Sequence, residues 1–144
     1  MSADYFIDTN IFIYHLEALD DTKSAKAAAI IGEAIQTGNA CISFQVVQEC
    51  INTILRKADI PLNANQTRDY LDCVLAPLYQ VPATLDLYHR ALDLQARYRY
   101  HFYDALIIAA ALEADCSVLY SEDLQDGQTI EGLTIQNPFA SATG

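Results

Sequence analysis

Short apolar runs alternate along this chain with stretches of helical periodicity, and that alternation limits the fold more than any other feature. The runs are "DYFI" (4–7), "ACISF" (40–44), "LYQV" (78–81), "SVLYS" (117–121) and, set off by Gly132 and Pro138, "LTIQ" (133–136). Each has the length of a buried strand. Between them, "TKSAKAAAIIGEAIQ" (22–36) is Ala-rich and helical, stopped by Gly38-Asn39. In "VVQECINTILRK", Val47, Cys50, Ile51, Ile54 and Leu55 recur at i, i+3, i+4, i+7 and i+8, an amphipathic helix. Residues 65–75 resume helical periodicity before Pro77, and Thr84 is placed to cap a helix running to about Arg99. Asp104 opens "ALIIAAALEA", apolar on nearly every side and therefore expected in the interior. Apolar strands separated by helices predict an α/β domain with a mostly parallel sheet of four to five strands.

The 144 residues suit one domain, 1–144, with residues from about 139 onward expected as a loose tail. At 52% hydrophobic, with 5 Gly and 4 Pro, the composition is globular. "MSADYFID" has acids where a secretory leader carries Lys or Arg, and "ALIIAAAL" (105–112) is too short to span a bilayer. A cytoplasmic protein with no membrane association is expected. Cys41, Cys50, Cys73 and Cys116 form no C-x-x-C pair and have no histidine at metal-finger spacing, so they read as small hydrophobes in a reducing compartment. Nineteen acids against eight bases give a net charge of −11, which argues against broad, nonspecific nucleic-acid binding. Nothing after Arg99 is basic.

In "YFIDTNIFIYHL" (5–16), Asp8, Thr9 and Asn10 interrupt an apolar stretch. A buried, unpaired carboxylate is costly. Taken singly, the acids have structural explanations: an Asx-turn or cap at Asp8, a solvated face at Glu49, a helix cap at Asp104, an acidic turn at Glu122, Asp123 and Asp126. Taken together they stand where a parallel sheet can bring them to one edge. These places are the end of strand one, the start of a buried helix and the loop after strand four, with Glu49 able to close the ring. Two carboxylates about 4 Å apart repel by about 4 kcal/mol at an effective dielectric of about 20. Such a group needs protons, a Lys or Arg, or a cation. The base-free C-terminal third favours a cation, and all-oxygen ligands favour Mg²⁺ or Mn²⁺.

The pieces "FIDTNIFIY", "VVQEC", "YDALIIAAAL" and "LYSEDLQDG", in this order over nearly the whole chain, resemble the PIN-domain ribonucleases, especially VapC-like toxins of toxin–antitoxin pairs. The resemblance implies a three-layer α/β/α sandwich and Mg²⁺- or Mn²⁺-dependent endoribonuclease activity. It carries the family's acids onto Asp8, Glu49, Asp104 and Asp123, with Ser121 as the hydroxyl partner of the last and Asn10 as the polar residue beside the first. On this reading Asp8, Asp104 and Asp123 hold the metal, directly or through water, and Glu49 completes the shell or orients the attacking water. Thr9, Glu122 and Asp126 are expected close by, the last two near enough to Asp123 to share its role. The resemblance further implies an RNA substrate, a small antitoxin that covers the site, and a homodimer.

"QARYRYHFYDA" (95–105) interleaves arginines and aromatics before Asp104, so Arg97, Arg99 and Tyr100 are candidates for RNA contact. A helix end with core aromatics and solvated arginines is the plainer alternative. Three other readings compete. A haloacid-dehalogenase-like phosphatase needs a D-x-D pair and a downstream lysine; here Asp8 is followed by Thr9-Asn10 and no lysine follows Lys57. A receiver-like phosphoacceptor lacks the same lysine. A non-catalytic PIN-like domain that binds RNA or protein also remains.

Overall fold

A computed structural model describes residues 3–17 and 19–140. Its elements in chain order are β1 (Tyr5–Ile7), α1 (Thr9–Glu17), α2 (Asp21–Thr37), β2 (Ala40–Ser43), α3 (Phe44–Arg56) and α4 (Ala64–Tyr70). A π-helical turn, Leu71–Leu75, joins α4 to the short α5 (Ala76–Leu78). Then come β3 (Tyr79–Val81), α6 (Leu85–Tyr98), α7 (Phe102–Glu113), β4 (Val118–Tyr120), β5 (Thr129–Ile130) and β6 (Leu133–Gln136).

The six strands form one sheet in the order β3-β2-β1-β4-β6-β5. All neighbours are parallel except β5 and β6, an antiparallel hairpin. The sheet is therefore mostly parallel, with six strands where four to five were expected. The added strand, β5, turns into β6 through Glu131 and Gly132, both at positive φ, the geometry of a two-residue hairpin.

Crossovers between parallel strands are right-handed almost without exception. The chain steps from β1 to β2 to β3 in one direction and then returns past β1 to β4. Right-handed connections thus put α1 to α5 on one face and α6 and α7 on the other. The packing agrees, since α1 touches α2 and α3 while α6 packs on α7. Phe6, Ile7, Ile42, Leu119 and Ile135 of the sheet are fully buried, as is α7 nearly throughout, from Ala105 to Leu112. Cys41, Cys50 and Cys116 are buried and Cys73 is exposed, all as free thiols. Leu55, expected on the buried stripe of α3, is 73% exposed; Val46, Cys50 and Ile54 form that face.

Of the expected tail, residues 141–144 lie outside the described residues, while Phe139 sets its ring edge-on to Tyr14. Among the described residues no helix is long and apolar enough to cross a membrane.

Candidate active site

The connections leaving β1 and β4 run in opposite directions, which opens a crevice between them at the carboxyl edge of the sheet. Ligands of open α/β sheets bind at such a point. Ile7 pairs with Tyr120, so Asp8 and Ser121 emerge side by side there. The Asp8 N–H donates to the Tyr120 carbonyl at 3.0 Å. α3 starts directly after β2 and brings Gln45 and Glu49 to the same edge, and the first turn of α7 brings Asp104.

These elements surround a cleft of about 400 Å³ lined by Asp8, Thr9, Asn10, Glu49, Asp104, Glu122 and Asp123, among others. All four expected acids face it. Asp8 is 8% exposed; Asp104 is half-buried, and Glu49 and Asp123 are exposed. One Asp8 oxygen accepts from the Thr9 N–H at 2.7 Å and the other from the Ser121 hydroxyl at 2.8 Å. Ser121 thus serves the first acid, where the sequence paired it with Asp123. Its oxygen also accepts from the Leu124 N–H at 3.4 Å. The Thr9 hydroxyl donates to Glu49 Oε1 at 2.8 Å, tying α1 to α3.

Burial pushes the Asp8 carboxyl up to about 6; the Thr9 and Ser121 hydrogen bonds pull it down, and the charges of Glu49 and Asp123 push it further up. Asp104 is raised for the same first reason, burial, with His101 opposing and Asp123 adding. His101, not Asp104, is the capping residue of α7, and Asp104 stands in the first turn among free backbone N–H groups.

The polar neighbours divide. Both amide atoms of Asn10 are buried without a partner beside Asp8, as is Gln45 Oε1, while Gln45 Nε2 donates to the Tyr103 carbonyl at 3.2 Å. Glu122 is held by the Tyr14 hydroxyl and by Lys23 Nζ, the latter at 2.8 Å. Burial raises the Glu122 carboxyl, but these two donors together bring it below its ordinary value. It is a neutralised wall of the cleft and not a free ligand. Asp126 is outside: it accepts from the Asn137 N–H at 2.8 Å and holds the turn before β5.

Arg97, Arg99 and Tyr100 do not line the cleft. Arg97 pairs with Glu131 at 3.3 Å, and Arg99 ends α6 in the left-handed conformation. The cations on the cleft wall are Arg56 and Lys57, which no motif in the sequence marks.

Among the described residues, no three or more His, Cys, Asp or Glu side chains are close enough together to form a ready metal cage. The acids line one cleft without converging on a single point. The donor set still suits a hard divalent cation. It is all oxygen, and Mg²⁺ uses few carboxylates directly and keeps several waters. The unpartnered Asn10 atoms and the raised Asp8 carboxyl mark where compensating charge and hydrogen bonds are lacking.

The PIN domain family model matches residues 5–125. The chain belongs to the PIN domain family. Its fold is similar to that of a toxin–antitoxin complex from Klebsiella pneumoniae, with TM-score 0.68 and 19% identity over 94% of this chain and 98% of the other. VapBC2 from Rickettsia felis, bound to a fragment of its promoter DNA, gives 0.66 and 17% over 92% and 96%. VapC20 from Mycobacterium tuberculosis, a sarcin–ricin loop cleaving toxin, gives 0.60 and 18% over 83% and 89%. No curated protein matches the sequence. At these identities the likeness to VapC toxins is one of fold, and the PIN architecture is what the chain shares with them.

Proposed function

We propose that this PIN domain is an endoribonuclease that hydrolyses RNA phosphodiester bonds with Mg²⁺ or Mn²⁺, and that it is the toxin of a toxin–antitoxin pair. The observation that carries this reading is the meeting of Asp8, Glu49, Asp104 and Asp123 in one cleft from four distant parts of the chain. RNA as substrate is supported by the neighbour described as cleaving the sarcin–ricin loop. An antitoxin partner is supported by neighbours solved as toxin–antitoxin complexes. Action in the cytoplasm and assembly as a homodimer complete the reading.

Asp8, Asp104 and Asp123 would hold the cation, in part through water. When bound, it supplies Lewis acidity toward a phosphate oxygen and lowers the pKa of a bound water. The chain's own contribution is placement. Thr9 N–H and the Ser121 hydroxyl fix both Asp8 oxygens. Thr9 Oγ1 occupies Glu49 Oε1 and leaves Oε2 to complete the shell or to orient the attacking water. Lys23 offsets the Glu122 charge and Tyr14 donates a hydrogen bond to it, where a bare carboxylate would repel a phosphate beside Asp123. Ser–His or Cys–His nucleophiles have no part in this scheme.

Asp8→Asn keeps the side-chain shape and removes the charge. Mg²⁺-dependent cleavage of single-stranded RNA is expected to fall by at least about 100-fold, with circular dichroism unchanged and a chelator abolishing wild-type cleavage. Cleavage by the variant at the wild-type rate refutes the mechanism. RNA binding without metal-dependent cleavage by the wild type would instead support the non-catalytic alternative.

A further inference from the structure

The cleft has a second end of opposite sign. Glu49, Thr53 and Arg56 stand at i, i+4 and i+7 on α3, so they form one stripe, and all three line the cleft. From Glu49 to Arg56 the stripe runs about 10 Å along the helix axis at about 1.5 Å per residue. Lys57 follows at the C-cap, and its Nζ pairs with Glu17 Oε1 of α1 at 3.2 Å. That pair offsets the charge of Glu17, which also lines the cleft. Arg56 is exposed and makes no ion pair among the described residues. A free guanidinium therefore remains on the cleft wall of a chain whose net charge is −11. Favourable contact with the C-terminal helix dipole accounts for an arginine in this turn. It does not account for the cleft position or for the neutralisation of Glu17.

We propose that Arg56 binds a backbone phosphate of the RNA strand to one side of the scissile bond, while Lys57 keeps Glu17 from repelling it. This rests on the ribonuclease reading and adds the path of the substrate: acids and cation at one end of the cleft, the flanking phosphate at the other. The guanidinium presents paired N–H donors that match two phosphate oxygens. Such a contact positions the strand without reading its bases.

The test uses the full chain and a single-stranded oligoribonucleotide, measuring initial rates with Mg²⁺ and, in chelator, binding by the Asp8→Asn variant. Arg56→Gln is expected to raise KM roughly three- to tenfold with kcat within about twofold, since Arg56 touches no reacting atom. The log–log salt dependence of RNA binding is expected to become shallower by about 0.7. Lys57→Gln, which bares Glu17, is expected to raise KM, and adding Glu17→Gln to restore it. Arg90→Gln, whose arginine pairs with Glu113 away from the cleft, leaves KM unchanged. If the wild type cleaves RNA while Arg56→Gln matches it in KM and salt slope, the subsite is refuted, as it also is if Arg56→Gln weakens only an acidic protein partner. If neither cleavage nor RNA binding is found, the ribonuclease reading itself fails.

Discussion

Asp8 is a carboxylate that the fold holds at a cost. Its folded value of about 6 lies above the ordinary 3.8, so the folded chain binds this proton more tightly than the unfolded one. Stability is then highest below about pH 4 as far as this group is concerned. It falls as pH rises through the window up to 6, and the loss at pH 7 is about 3 kcal/mol. In chelator, Asp8→Asn is expected to abolish this dependence and to match or exceed wild-type stability at pH 8, by thermal melts across pH 4–8. A variant less stable than wild type at every pH would mean that the bonds to Thr9 and Ser121 outweigh burial. The same feature made Asp8 conspicuous in the sequence: a charged residue inside an apolar run requires an explanation. Arg56 had no such mark, because an arginine in the last turn of an amphipathic helix is ordinary. Ser121 was readable as a hydroxyl at the site, but which acid it serves depends on the register of β1 against β4.

At the level of elements, the strands read from runs of apolar residues, and the fold departs where local signals conflict. α1 (Thr9–Glu17) has no clear helical signal because "IFIYHL" resumes the apolar run of β1 directly after Asp8-Thr9-Asn10, and its buried face, Ile11 and Phe12, shows only against the sheet. β5 has no clear signal in the sequence because Glu131-Gly132 is an uncommon pair for its turn, where Asn or Asp precedes Gly more often. The arginines at the end of α6 are candidates for RNA contact in the sequence because they interleave with aromatics just before Asp104, with a solvated helix end as the plainer alternative. The face of α6 they occupy is set by its packing on α7, and that turns Arg97 to Glu131. Arg99 closes α6 at φ 61°, ψ 34°, its N–H bonded to the Gln95 carbonyl. A side chain in this conformation costs about 1 kcal/mol, which glycine avoids. Arg99→Gly is accordingly expected to stabilise the protein by roughly 1 kcal/mol in urea denaturation while leaving KM for RNA unchanged. A loss of stability would show that the arginine side chain makes a contribution larger than its backbone strain.

Over the whole molecule, nineteen acids and eight bases mean self-repulsion, and the cleft concentrates it. Any added salt screens such charge, so stabilisation by Mg²⁺ alone says little. The informative comparison is MgCl₂ against NaCl at equal ionic strength. A cation bound in the cleft stabilises by mass action, about 1.4 kcal/mol at a concentration roughly tenfold above its dissociation constant. For a domain of this size that is about 3–5 °C in melting temperature. The wild type is therefore expected to gain that much more in MgCl₂ than in NaCl, saturably. Asp104→Asn removes one repulsive charge, so its melting temperature without cation can rise, but its excess gain in MgCl₂ is expected to vanish. Equal gains in the two salts, or an undiminished excess in the variant, would mean that Mg²⁺ meets only the diffuse charge of the molecule and that the meeting of acids at the sheet edge holds no ion.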